Sequence, residues 1–74
     1  MGINYKPLWK LLIDRDMSKA ELRQLTGIAA STFSKMARNE YVSLDILVRI
    51  CSALQCQLGD ISEVEYQDVV HTPD

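Results

Sequence analysis

The sequence predicts an all-α fold, a bundle of five short helices. Apolar residues recur at three- and four-residue intervals through most of its 74 residues, and helix-capping residues stand between these runs. The clearest segment, residues 18–38 (SKAELRQLTGIAASTFSKMAR), reads as two short helices joined by a tight turn at Thr26 and Gly27.

Pro7 suits the first turn of a helix, where its missing N–H has no intrahelical partner to lose. Tyr5, Leu8, Trp9 and Leu12 then form one apolar stripe, which Asp14-Arg15-Asp16 breaks, so the first helix ends near there. Ser18 with Glu21 is a capping box that starts the second helix, with Leu22 and Leu25 facing inward. Gly27 follows as a left-handed end residue, and Ile28 plugs the gap between the two helices. The third helix is expected over about residues 29–38. Ala29, Phe33, Met36 and Ala37 form its apolar stripe; Ser31, Ser34, Lys35 and Arg38 form the opposite, polar one.

After a loop at residues 39–42, Ser43 caps a fourth helix whose core face is Leu44, Leu47, Val48, Cys51 and Leu54. Leu58, Ile61 and Val64 come three apart, as in a short closing helix. The segment 65–74 is an acidic tail set off from the domain 1–64. Val64, Tyr66 and Val70 alternate with polar residues, and Asp68 interrupts them. Either a frayed end or a strand pairing with a second subunit fits that pattern.

A hydrophobic fraction of 47% and a charged fraction of 24% describe an ordinary globule, not a disordered tail. No apolar run approaches the roughly 18 residues of a membrane span, and the N-terminus has no signal-peptide pattern. Cys51 and Cys56, five apart in one helical region, are poorly spaced for a disulfide or a zinc pair. They read as reduced thiols serving as small core hydrophobes, which points to a cytoplasmic protein. The net charge of −2 conceals a division: residues 1–54 hold all eight Lys and Arg against five acids, and residues 55–74 hold five acids and no cation. A phosphate backbone would meet the basic part.

Catalysis has little to work with. His71 is the only histidine, no Gly-rich loop follows a strand, and no cluster offers a metal or cofactor site. No small-molecule ligand is evident. The third helix is more telling, because residues 29–39 contain no carboxylate that would repel phosphates. Lys35 and Arg38 can reach phosphates or guanine edges, and Ser31, Thr32 and Ser34 are short donors and acceptors. Ala30 allows close approach and contact with a thymine methyl, while Lys19 stands where a backbone would pass. A solvated helix face with two surface cations would show the same stripe.

Residues 18–40 followed by 42–61, including TGIAASTFSKMARNEYVSLDILVRICSALQCQLGDI, resemble the Cro/CI-type (XRE) helix-turn-helix family, in its compact single-domain branch. The resemblance uses Gly27, Ile28, Phe33, the Asn39-Glu40 loop, Leu44, Ile50, Leu54 and Ile61. It implies a lambda-repressor-like five-helix bundle with the third helix in the major groove of double-stranded DNA, and usually a homodimer. Its base-reading positions fall on Ala30, Ser31, Ser34 and Lys35, and its backbone-contacting positions on Lys19, Thr32, Arg38 and Asn39. Two departures stand out. Arg23 occupies a helix crossing where many members have alanine, so either it snorkels outward or the two helices pack slightly further apart. The family's long glutamines on the reading helix are replaced by Ala30 and serines, which removes bidentate adenine reading.

The expected function is therefore sequence-specific transcriptional regulation, with repression as the anticipated outcome. A protein-interaction module of antitoxin or anti-repressor type is the alternative. It would grip a partner through the acidic segment 55–74, with Tyr66, Val69 and Val70 as contacts.

Overall fold

A computed structural model describes residues 2–66. Four α-helices form the body: α1 Lys6–Asp14, α2 Lys19–Thr26, α3 Ala30–Ala37 and α4 Leu44–Leu54. They are joined by a two-stranded antiparallel sheet, β1 Gly2–Asn4 and β2 Glu63–Glu65, with a 3-10 turn at Leu58–Asp60 before β2. The fold is thus mostly helical, and the expected all-α, five-helix bundle is corrected at both ends. Instead of a closing helix, one short turn forms, held by the Gln57 N–H donating to the Asp60 carboxylate at 2.9 Å. Ile61 is buried after it, but Val64 lies in β2 and is exposed.

The strand segment at the C-terminal end pairs within its own chain, Gly2 opposite Glu65, Ile3 opposite Val64 and Asn4 opposite Glu63. Tyr66 lies beyond it, exposed; Val69, Val70 and His71 lie outside the described residues. Asn4 holds the pairing together. Its side-chain N–H groups donate to Glu63 at 3.1 Å and Glu65 at 3.2 Å, and its oxygen accepts the N–H of Lys6, the first residue of α1, at 3.1 Å. A buried amide with donors and acceptor all engaged suits this position, because an unpaired one costs about 1–3 kcal/mol.

The caps read from sequence are in place. Ser18 Oγ accepts the Glu21 N–H at 3.0 Å, and Glu21 returns to the Ser18 N–H at 2.9 Å. Ser43 Oγ accepts the Ile46 N–H. All four helices stop at a left-handed residue: Asp16, Gly27, Asn39 and Gln55. At Asp16, Asn39 and Gln55 the next N–H reaches back five residues, Met17 to Leu12, Glu40 to Lys35 and Cys56 to Cys51, at 2.9–3.0 Å. Arg15 adds a tie across the fold, its guanidinium donating to the Leu54 carbonyl at the end of α4.

The core gathers Tyr5, Leu8, Leu12, Leu22, Ile28, Phe33, Met36, Leu47, Ile50, Leu54 and Ile61. Several expected core residues are not in it: Leu25, Leu44, Val48, Leu58, Ala29 and Ala37 are exposed, and Trp9 is half-buried. α2 packs on α4, and α1 on the 3-10 turn. Each helix therefore buries a narrower stripe than its periodicity offers. Tyr5 is fully buried, and its hydroxyl donates to the Glu40 carbonyl at 2.8 Å, tying the start of α1 to the loop after α3.

Replacing the buried Asn4 by Asp removes two donors and sets a third carboxylate beside Glu63 and Glu65. Urea unfolding at neutral pH should show a loss of about 2–4 kcal/mol for Asn4→Asp. Crowded carboxylates bind protons more tightly when folded than unfolded. The deficit should therefore shrink as the pH falls and they are neutralised.

Candidate nucleic-acid interface

The orientation of α3 begins at the turn. Gly27 has φ +72°, and its N–H donates to the Arg23 carbonyl at 2.8 Å, ending α2. Thr26 Oγ1 donates to the Leu22 carbonyl at 2.8 Å and accepts the Ile28 N–H at 3.4 Å. Ile28 is then buried to 4% exposure, worth about 1.5–3 kcal/mol for a side chain of this size. Arg23 is exposed, on the rim of a shallow surface groove with Ala20, Gln24, Gly27 and Ile28, so it does snorkel out of the helix crossing.

Phe33 and Met36 anchor α3 to the core, and this fixes which way the helix is rotated. Ala30, Ser31, Ser34 and Lys35 are exposed in consequence, together with Arg38 and Asn39 just past the helix end; Thr32 is half-buried. The N-terminus of α3 differs from those of α2 and α4: Ala29 is its N-cap and supplies no side-chain cap. The first N–H groups of α3 are thus left without a side-chain acceptor, and carry the positive end of the helix dipole.

Lys19 is placed by aromatic rings. Its Nζ lies 4.2 Å from the centroid of Trp9, whose ring stands 6.4 Å from that of Phe33. A cation over an indole face is held by the ring quadrupole. Trp9 thereby links Lys19 on α2 to the core side of α3.

One contact was missed from sequence. Arg38 Nε donates to Glu40 Oε2 at 2.6 Å, both side chains being largely in solvent. The stretch without carboxylates ends at Asn39, and Asn39 is the residue that turns the chain, with φ 59°. That turn brings Glu40 back onto Arg38, while the Tyr5 hydroxyl holds the Glu40 carbonyl from the other side. An acid two residues after a basic helix end, across an asparagine, is a signal that could have revealed it. The hydrogen bond from Arg38 pulls the Glu40 carboxyl below its ordinary 4.5, with the charges of Arg38 and Lys35 adding to the effect. Lys35 makes no ion pair among the described residues, whereas Arg49 is paired with Asp45 at 3.1 Å.

Residues 7–67 match the family described as the Cro/C1-type HTH DNA-binding domain. Over 55 residues the chain is 40% identical to the uncharacterized HTH-type transcriptional regulator YozG of Bacillus subtilis (strain 168). That alignment takes in 72% of this chain and 66% of the relative, so the chain spans about two thirds of the relative's length. Among solved structures, the transcriptional regulator VanUg is 55% identical and superposes with a TM-score of 0.81, over 84% of this chain and 83% of that one.

The Arg38–Glu40 pair is checked by titration. A carboxyl with a depressed pKa keeps its pairing above the ordinary carboxylate range and loses it as pH falls through the lowered value. Carbon-detected NMR should therefore place the Glu40 midpoint below 4.5. Arg38→Ala should return it towards the ordinary range.

Proposed function

Since the chain belongs to the Cro/C1-type helix-turn-helix DNA-binding family, we propose that it regulates transcription by binding a specific duplex sequence, with α3 in the major groove. The observation that carries this reading is the outward face of α3, which is free of carboxylates and backed by a rigid core contact at Phe33 and Met36. Ala30, Ser31, Ser34 and Lys35 read base edges. Lys19, Thr32, Arg38 and Asn39 meet the backbone. Small side chains at positions 30, 31 and 34 let the helix lie close to the bases, and leave Lys35 as the long donor, suited to guanine O6 and N7. Glu40 restrains Arg38, which favours a phosphate role over base reading.

The regulator acts as a homodimer on two half-sites about one helical turn, roughly 34 Å, apart, and represses by occupying its operator. Leu44 and Val48, one turn apart on α4, and Tyr41 just before them are apolar and exposed. They supply a surface that a second copy could bury. Phosphate contacts provide most of the affinity, so binding falls steeply with salt.

Selection of bound sequences from a random duplex pool should return a two-fold symmetric site. On that site, Lys35→Ala should lose about 1–3 kcal/mol by fluorescence anisotropy and relax preference at one base position. Unchanged affinity and preference would remove α3 from the role given to it here. No duplex affinity at low salt would favour a protein-gripping module instead.

A further inference from the structure

Two thiols meet at the end of α4, on residues to which no DNA contact is assigned. Their spacing of five is poor for a bridge within a helix, but Cys56 is not helical: α4 ends at Leu54 and Gln55 adopts φ 53°, ψ 55°. The reversal brings the Cys56 N–H back to the Cys51 carbonyl at 3.0 Å. In a helix end of this type the side chains of these two positions come into contact. Standard bond lengths added to that hydrogen bond keep the two Cα atoms within about 7 Å, close to the range that disulfides span.

The two sulfurs differ in access. Both residues are half-buried and both thiols are free. Cys56 lines an open groove bounded by Pro7, Lys10, Leu11, Arg15, Gly59 and Asp60, and Cys51 is not among the residues that line it. Burial pushes the Cys51 thiol up to about 11, helped by the charge and hydrogen bond of Cys56 and by the charge of Asp60. Cys51 is therefore held protonated, and Cys56 is the sulfur that solutes can reach. Among the described residues no third His, Cys, Asp or Glu joins the pair in a cluster able to hold a metal ion. Two sulfurs without further ligands suit covalent exchange rather than metal binding.

We infer that Cys51 and Cys56 form a reversible thiol–disulfide site whose substrates are low-molecular-weight disulfides. A small disulfide enters along the groove; Cys56 gives up its proton to solvent and attacks one of its sulfurs, expelling the other half as a thiolate and leaving a mixed disulfide. Cys51 then gives up its proton and attacks the Cys56 sulfur, breaking the mixed disulfide and releasing the second small thiol. Two protein thiols lose two electrons; one small disulfide becomes two small thiols. The bridge locks the left-handed end at Gln55, from which the chain enters the 3-10 turn and β2.

The test is to hold the full chain in glutathione redox buffers, quench with acid and weigh it without reductant. The wild type should become a monomer lighter by about 2 Da, with both thiols lost to alkylation and both restored by excess reduced glutathione. Cys51→Ser should accumulate one glutathione adduct at Cys56, because no second thiol resolves it. Cys56→Ser should leave Cys51 unadducted in the same buffer. A wild type that retains the adduct, pairs between chains or keeps both thiols free overturns the proposal, and that readout needs neither variant to fold.

Discussion

The presentation of α3 depends on one constraint: the chain must turn sharply at Gly27 and bury the next side chain, Ile28. A Cβ at position 27 would meet no atom within 4 Å, so the requirement for glycine there is conformational rather than steric. Its φ of +72° lies in the left-handed region, where an L-residue pays about 1–2 kcal/mol. Ile28 then acts as a wedge, and Phe33 and Met36 take up their core positions behind it. Those three buried side chains together set how α3 is rotated about its axis and where it lies along it. The polar face is outside because the apolar one has only one place to go.

Charge follows the same geometry. The acids of β2 are gathered under the Asn4 amide, and Asp45 is taken by Arg49. The first carboxylate after α3 in the chain is that of Glu40, and it is tied to Arg38. What remains on α3 is Lys35, a set of hydroxyls and an N-terminus with no side-chain cap. A net charge of −2 on the whole chain thus coexists with a surface that an anion can approach. Trp9 contributes at a distance, holding Lys19 over one of its faces while its ring leans on Phe33.

Local features were legible in the sequence, and non-local ones were not. The Ser18–Glu21 box, the Ser43 cap, the glycine stop and the bounds of α3 all depend on residues within four positions of one another. The sheet does not: β1 is three residues long, and its partner lies some sixty residues away along the chain. Nothing in Gly2-Ile3-Asn4 alone marks a strand. The left-handed ends at Asp16, Asn39 and Gln55 were hidden because none is glycine. That concealed the meeting of Cys51 with Cys56 and the return of Glu40 to Arg38. Periodicity correctly located α2 and α4 but overstated their buried faces. Leu25, Leu44 and Val48 keep the spacing of core residues, yet among the described residues they stay exposed.

The central claim is that the outer face of α3 is where this protein meets DNA. Backbone amide NMR during titration with its selected duplex tests that most directly, since every position reports at once. The account predicts that the largest perturbations cluster on residues 29–39 and on Lys19, with the sheet little changed. Perturbations concentrated on the sheet and the 3-10 turn, with α3 silent, would contradict it.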